Sequence, residues 1–592
     1  MTFKKIFTVS TVCLLLSSNA LFANPIPSEK IPNTQREARE PEAATGLVEK
    51  KAAKSKEFMV VAANPYASEA GFKILEQGGS AVDAAIAVQL VLALVEPQSS
   101  GIGGGTFMLH WDNVNKKMTT YDGRETAPSS ATSSLFLDAH GNPLKWIDAV
   151  VGGRSVGVPG LFATLKKAHE QYGKLEWAKL FEQAIALADN GFVVSARLEK
   201  LLSMNFNPGL HVLPEINHYF FPNGTSVKAG DILVNKKLAK VFRSVAKEGI
   251  DVFYKGWIAK KIIEKIQHSA ISPGLLSMQD MATYQVIERD PVCGDYREFR
   301  VCGMAPPSSG GIAVIQILGQ LERFELAKYR PNGLDAIHLF TQSSRLAFAD
   351  RNRYVADADF VTVPVSGLIN PSYLATRSAL INSDKDMGFA VSGTPEGAVA
   401  LADDNAIERP STSHFNVIDG QGNAVSMTSS IENGFGSALM VEGFILNNQL
   451  TDFSLAPKKN GRWVANRVQA NKRPRSSMSP TMVFNKDNTL KLLVGSPGGS
   501  RIINYVVQTI IGVLDWQLDP QEAINLSKIT NRNDVTTLER GTNAELLKPF
   551  LEAKGHKVQL RDLNSGVHAI EVTASGFIGG ADPRREGVAL GK

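Results

Sequence analysis

At Thr412 the hydrophobic pattern of the chain changes, and this change constrains the fold more than any other feature. Upstream, apolar positions recur at helical spacing in long mixed segments such as GLFATLKKAHEQYG and SARLEKLLSM, with SSGGIAVIQILGQLERFEL and AIHLFTQSSRLAFADRNRYVAD adding two more helices. From Thr412 onward short alternating runs take over: HFNVID, AVSMTSS, TMVFN and KLLVGSPGG. One helix follows, INYVVQTIIGVL, and then two further strands, HKVQLRD and HAIEVTA. Helices on both sides of a strand-rich middle predict sheets covered by helical layers, a layered α/β protein. At 592 residues, 43% hydrophobic and 20% charged, the chain has ample apolar material for a large core.

The N-terminal 23 residues read as a separate object. MTFKK is basic, IFTVSTVCLLL is an apolar run of 11, and SSNALFA is a small-residue exit, the pattern of a secretory signal peptide cut after Ala23 or Ala20. The run is too short to span a bilayer, and no later segment reaches spanning length without charges or glycines, so no membrane partner is expected. Loss of Lys4 and Lys5 takes the net charge from +5 to +3, too weak a field to predict nucleic-acid binding. Residues 24–57 are a polar lead-in. Ordered sequence is expected from about Phe58: a strand to Ala62, a helix from Ser68 to Gln77, and a nearly all-apolar helix from Ser80 to Val95. Ser80 and Asp83 have capping-box spacing at its start. Cys13 leaves with the leader, and Cys293 and Cys302, flanking GDYREFRV, form either one disulfide or two buried thiols. They make no convincing zinc site.

Several stretches carry potential chemistry. GRSVG has the formal spacing of a nucleophile elbow around Ser155, but the VPG that follows puts Pro159 where a helix would have to start, so this match is a decoy. GIGGG and GSPGG lack the spacing of nucleotide-binding loops. In GSPGGS, between a strand and a helix, the adjacent N–H groups of Gly498 and Gly499 are placed to face a developing oxyanion. The stretch 458–475 carries seven basic residues and no acid, either a solvated loop or a flap that favours small anionic substrates. Thr412 is a poor nucleophile inside a chain. At a chain N-terminus its own α-amine, with a pKa near 8, supplies the base.

A series of ordered motifs from about Phe58 to the C-terminus resembles the bacterial γ-glutamyltransferases (γ-glutamyltranspeptidases, glutathione hydrolases), members of the N-terminal-nucleophile hydrolases. The motifs are ANPYAS, GGSAVDAAIA, PQSSGIGGG, DGRETAP, VGVPG, PPSSGG, AFADR, TSHF, LNNQLTDFS, KRPRSSMSP, GSPGGSRI and ADPRREG. The resemblance implies an αββα sandwich formed jointly by a large subunit, 58–411, and a small subunit, 412–592, after a precursor cuts itself before Thr412. It implies that Thr412 attacks the γ-amide carbonyl of glutathione or a related γ-glutamyl compound and passes the acyl group to water or to an amino acid or peptide amine.

By the same resemblance Arg124, Ser476 and Ser477 hold the donor's α-carboxylate, and Asp452 with Gln449 holds its α-ammonium. Gly498 and Gly499 form the oxyanion hole, and Thr428 or Ser430 orients the nucleophile. Two departures stand out. Thr451 replaces the first of two aspartates found in many members, and Glu432 stands where many have asparagine, still suited to an ammonium. The segment from Asp452 to Pro474 also looks shorter than the lid of some members, which would open the acceptor side. The implied location is the periplasm or outside the cell, and the resemblance implies no metal or organic cofactor. Two other readings stay open: an acylase acting on glutaryl-type β-lactam side chains, and an uncleaved, noncatalytic binding protein on the same scaffold.

Overall fold

Two seven-stranded antiparallel sheets lie face to face in the computed structural model, which describes residue 2, residues 46–404, 406–409 and 411–592. The expected signal peptide and most of the lead-in lie outside the described residues. One sheet, here the nucleophile sheet, runs in the order Val588–Gly591, Met59–Ala62, Thr412–Ile418, Ala424–Ser430, Gly105–Asp112, Lys117–Gly123, Ile287–Arg289. The companion sheet runs Ala53–Ser55, Gly576–Ala581, His568–Thr573, Leu490–Gly495, Thr481–Phe484, Phe299–Gly303, Val292–Tyr296. Strands from before and after Thr412 interleave in both sheets, so both parts of the chain contribute to each core.

Strand parity decides what each face meets. On Thr412–Ile418, Phe415 and Val417 point into a core shared with the helices Pro65–Glu76 and Ala81–Val95. Ile418 points the other way, into the core that Trp111 and Phe484 bridge between the sheets with rings 4.7 Å apart. The helices Gly310–Leu321 and Ile502–Leu514 cover the outer face of the companion sheet. The result is the αββα sandwich expected of the N-terminal-nucleophile hydrolases. Helix Ala81–Val95 is buried along its whole length, and the capping box read from Ser80 and Asp83 is present at its start. Asp83 also accepts from the backbone N–H groups of Lys174 and Leu175.

Three local expectations change. Ordered structure begins before Phe58: Ala53–Ser55 pairs with the edge of the companion sheet, and the Lys50 ammonium is satisfied by the carbonyls of Asp582, Arg585 and Gly587. The first helix starts at Pro65, not Ser68, because Asn64 caps it and proline fits the first helical turn. The basic stretch 458–475 divides in two. Lys458–Lys459 and Arg462–Trp463 form an exposed hairpin, whereas Lys472, Arg473 and Arg475 are buried. Lys472 donates to the carbonyls of Ala465 and Arg467, and burial, then the charge of Arg467, lower its pKa to about 7. It is a structural residue, not part of a charged flap. Cys293 and Cys302 face each other across the edge hairpin and form a disulfide.

Candidate active site

Thr412 opens its strand at the rim of the sandwich, 4% exposed. Strand register places it opposite Ser430 and places His414 opposite Thr428. The two candidates for orienting the nucleophile therefore separate. Thr412 Oγ1 donates to Ser430 Oγ at 3.3 Å, and Ser430 Oγ donates to the carbonyl of Ser411 at 2.8 Å. Thr428 Oγ1 instead pairs with His414 Nδ1 at 2.8 Å, in a polar seam between the sheets. Gly495 leaves room there for His414, since a Cβ on it would meet the imidazole at 2.2 Å. Burial lowers the His414 pKa to about 3, so its ring is neutral.

A small cavity opens beside Thr412. It is lined by six of the expected binding residues, Arg124, Glu432, Gln449, Asp452, Ser476 and Ser477, and by Ser430 and Gly499. Gly498, at φ +136°, precedes the turn Gly499–Arg501 that leads into helix Ile502–Leu514. A Cβ on Gly498 would approach the Tyr505 ring at 2.8 Å. That helix directs the positive end of its dipole toward the cavity, where its first residue, Ile502, forms part of the wall.

Opposite charges face each other across this space. The Arg124 guanidinium pairs with the Asp452 carboxylate and also donates to the carbonyls of Pro474 and Arg475. Gln449 Nε2 donates to Asp452 Oδ2 at 2.8 Å. Asn448 Nδ2 donates to Glu432 and, at 2.8 Å, to Thr451 Oγ1, so the threonine that departs from the usual aspartate helps hold the amide that faces Glu432. Burial raises the Asp452 pKa to about 6 against the lowering effect of Arg124. Burial, then the charge of Asp452, pushes Glu432 well above the usual carboxylate range. Of the two acids, Glu432 is the one whose charged form the site disfavours more. Paired carboxyl groups opposite a guanidinium match the head of an α-amino acid, cation to acids and anion to arginine.

Sequence reasoning missed part of this wall. Glu408 enters the cavity and accepts from Arg351, Arg475 and Ser477. Arg351 lies in AFADR and Arg475 in KRPRSSMSP, so both fell within quoted motifs without being assigned. Nothing in their spacing places them near Thr412; only the packing of helix Leu334–Tyr354 does so for Arg351. Ser155, the decoy, sits in a short turn and donates its hydroxyl to the carbonyls of Val150 and Gly152.

The sequence model of the gamma-glutamyltranspeptidase family matches residues 67–592. The chain is 38% identical over 552 residues to the glutathione hydrolase proenzyme of Bacillus subtilis (strain 168), covering 90% of this chain and 92% of that protein. It is also 38% identical over 546 residues to the glutathione hydrolase proenzyme of Escherichia coli (strain K12), covering 90% and 91%. The crystal structure of a cephalosporin acylase from Bacillus halodurans superposes with a TM-score of 0.81 at 26% identity, over 92% of this chain and 97% of that one. The shared sandwich and the family match along nearly the whole described chain give one conclusion: this protein belongs to the gamma-glutamyltranspeptidase family of N-terminal-nucleophile hydrolases.

Proposed function

We propose that the chain is a precursor that cuts itself between Ser411 and Thr412 and then hydrolyses or transfers the γ-glutamyl group of glutathione and related compounds. In the first reaction Thr412 Oγ attacks the Ser411 carbonyl carbon. The peptide C–N bond breaks, the nitrogen takes up a proton, and an ester joins Ser411 to the Thr412 oxygen. Water then cleaves the ester and leaves a free α-amine on Thr412. In the second reaction that amine accepts the hydroxyl proton as Oγ attacks the donor's γ-carbonyl, and the leaving amine departs protonated. The γ-glutamyl ester is resolved by water, giving glutamate, or by an amino acid or peptide amine, giving transfer.

The roles follow the charges around the cavity. Arg124, Ser476 and Ser477 receive the α-carboxylate, while Asp452, Gln449 and Glu432 receive the α-ammonium. The N–H groups of Gly498 and Gly499 stabilise the oxyanion, and Ser430 orients Thr412. The observation that carries this reading is the placement of Thr412 beside one cavity lined by the Arg124 guanidinium and by the Asp452 and Glu432 carboxyl groups. No metal or organic cofactor takes part in this scheme. The leader in residues 1–23 would send the protein to the periplasm or beyond.

A second reading, cleavage of glutaryl-type amides, is favoured by the likeness to a cephalosporin acylase. It leaves the acid pair without a task, since a glutaryl group has no α-ammonium. Intact mass of the purified protein beside Thr412→Ala tests the cut. Two chains in the wild type, the smaller starting at Thr412, and one in the variant are expected. γ-Glutamyl-p-nitroanilide against glutaryl-p-nitroanilide then tests the donor, with turnover of the first expected to dominate. An uncut wild-type chain would return the protein to the noncatalytic binding reading.

A further inference from the structure

The carboxylate of Glu408, four residues before Thr412, occupies the donor cavity. One oxygen accepts from Arg351 Nη2 and also from two nitrogens of Arg475, Nη2 at 3.2 Å and Nε at 3.3 Å, and the other accepts from Ser477. Arg351 further donates to Ser477 Oγ at 2.6 Å and to Ser309 Oγ at 2.9 Å. Ser309 in turn donates to the carbonyl of Ser476. The seat is thus a closed set of charge-assisted bonds built on two buried guanidiniums and a serine hydroxyl. Next to Glu408, the Arg409 backbone N–H reaches Glu432 at 3.4 Å, on the acid side of the cavity. Glu408 and Arg409 thus line the same small cavity as Thr412, Arg124 and Asp452.

We propose that Arg351 and Arg475, with Ser477, form the inner carboxylate-binding wall of the donor pocket, a seat that Glu408 fills in the uncut chain and that the donor's α-carboxylate takes over once residues 406–409 withdraw. The inference rests on the cut before Thr412 and on the γ-glutamyl reading above. Electrostatics supplies the reason for the exchange. Burial pushes the Glu408 carboxyl up, but Arg351 and Arg475 outweigh it and hold it at about 2, so it is an anion at any working pH. Arg475 keeps Asp404 at 2.8 Å when Glu408 leaves. Arg351 is left with hydroxyl and amide partners and no carboxylate among its hydrogen bonds. Two adjacent buried guanidiniums then share one acid, an arrangement that favours uptake of a small carboxylate. An α-amino acid carboxylate satisfies both arginines and Ser477 as Glu408 does. The segment before the cut acts as a tethered competitor of the donor.

The test uses the mature enzyme. Arg475→Met is expected to raise KM for γ-glutamyl-p-nitroanilide, and to weaken competitive inhibition by L-glutamate, by about tenfold or more, the worth of a charge-assisted bond. Inhibition by 4-aminobutanoate, which lacks the α-carboxylate, stays unchanged, and Arg475→Lys recovers part of the loss. If both inhibitors weaken together, or neither does, the inference is overturned. A second pair of proteins keeps the test open if Arg475→Met fails to fold. In the uncut Thr412→Ala chain L-glutamate should leave the melting temperature unchanged, whereas in Thr412→Ala with Glu408→Ala it should raise it. Equal responses of the two chains would sink the idea. Failure of the underlying reading looks different: the wild type itself would not turn over γ-glutamyl-p-nitroanilide.

Discussion

The Ser430 hydroxyl donates to the Ser411 carbonyl oxygen at 2.8 Å and at the same time receives the hydroxyl hydrogen of Thr412 at 3.3 Å. One side chain therefore touches the oxygen that becomes negative during self-cleavage and the oxygen that attacks. Its own orientation is set by the Glu432 backbone N–H, which donates to it at 2.9 Å. A donor aimed at a developing oxyanion contributes about 100-fold or more in rate. Ser430→Ala is expected to slow conversion of precursor to two chains by about that factor, and Ser430→Thr to restore most of it. A time course of the uncut band on a denaturing gel reads both. Unchanged processing in Ser430→Ala would assign the polarising contact elsewhere.

Asp452 predicts an acid limb in the activity profile. In the uncut chain burial, opposed by Arg124 and reinforced by the Glu408 carboxylate, holds its carboxyl at about 6. Once residues 406–409 withdraw the Glu408 charge is gone, so the limb of the mature enzyme lies below 6. Across that limb the free enzyme loses the anion that an α-ammonium needs, so kcat/KM for a γ-glutamyl donor should fall by about tenfold per pH unit. Asp452→Asn should remove the limb and lower kcat/KM at neutral pH, chiefly through KM. Glu432→Gln is expected to keep the limb, because burial and the charge of Asp452 push the Glu432 carboxyl well above the usual carboxylate range. A limb that survives Asp452→Asn would transfer the titration to another group.

The sequence carried the layered fold and most of the cavity, for reasons that are local. The capping box at Ser80, the change to alternation at Thr412 and the glycine pair at 498–499 all express backbone requirements of neighbouring residues. Pairing was harder. Thr428 and Ser430 share one face of a strand, and only the turn between Ile418 and Ala424 sets the register that puts Ser430 opposite Thr412. Lys472 looks like a surface charge in its basic run, yet it folds back and donates to the carbonyls of Ala465 and Arg467 earlier in the same run, out of reach of solvent. Arg351 and Glu408 meet through tertiary packing, which no periodicity encodes.

Glu125 should make stability depend on pH. Its carboxyl is buried beside Gly105 and Gly157, with neither oxygen hydrogen-bonded and Arg124 3.8 Å away. Burial, opposed by Arg124, raises its pKa from 4.5 to about 8. The folded state therefore holds a proton that the unfolded state releases above 4.5. Its stabilising effect is complete below pH 4.5 and is lost as pH rises through 8, about 3–5 kcal/mol in all. Glu125→Gln removes the titration. Denaturant midpoints measured from pH 4.5 to 9 should fall less steeply for the variant than for the wild type. Parallel slopes would mean that Glu125 is ionised in the fold.

The Cys293–Cys302 disulfide joins directly opposed residues of the hairpin Val292–Tyr296 and Phe299–Gly303, with Cα atoms 4.1 Å apart. This hairpin is the edge of the companion sheet, and its inner strand pairs with Thr481–Phe484. A few residues on, Ser308 and Ser309 bond to the backbone around Ser476 and Met478 at the cavity wall. Closing a loop of about ten residues restricts the unfolded chain by about 2–3 kcal/mol. The paired change Cys293→Ala and Cys302→Ala is expected to lower stability by that amount, read from the urea midpoint at an unchanged slope. Turnover at 25 °C should stay within about twofold, because the neighbouring ladder with Thr481–Phe484 and the serine contacts hold the wall without the bridge. A large loss of turnover with little change in stability would instead tie the edge hairpin directly to the geometry of Ser476 and Ser477.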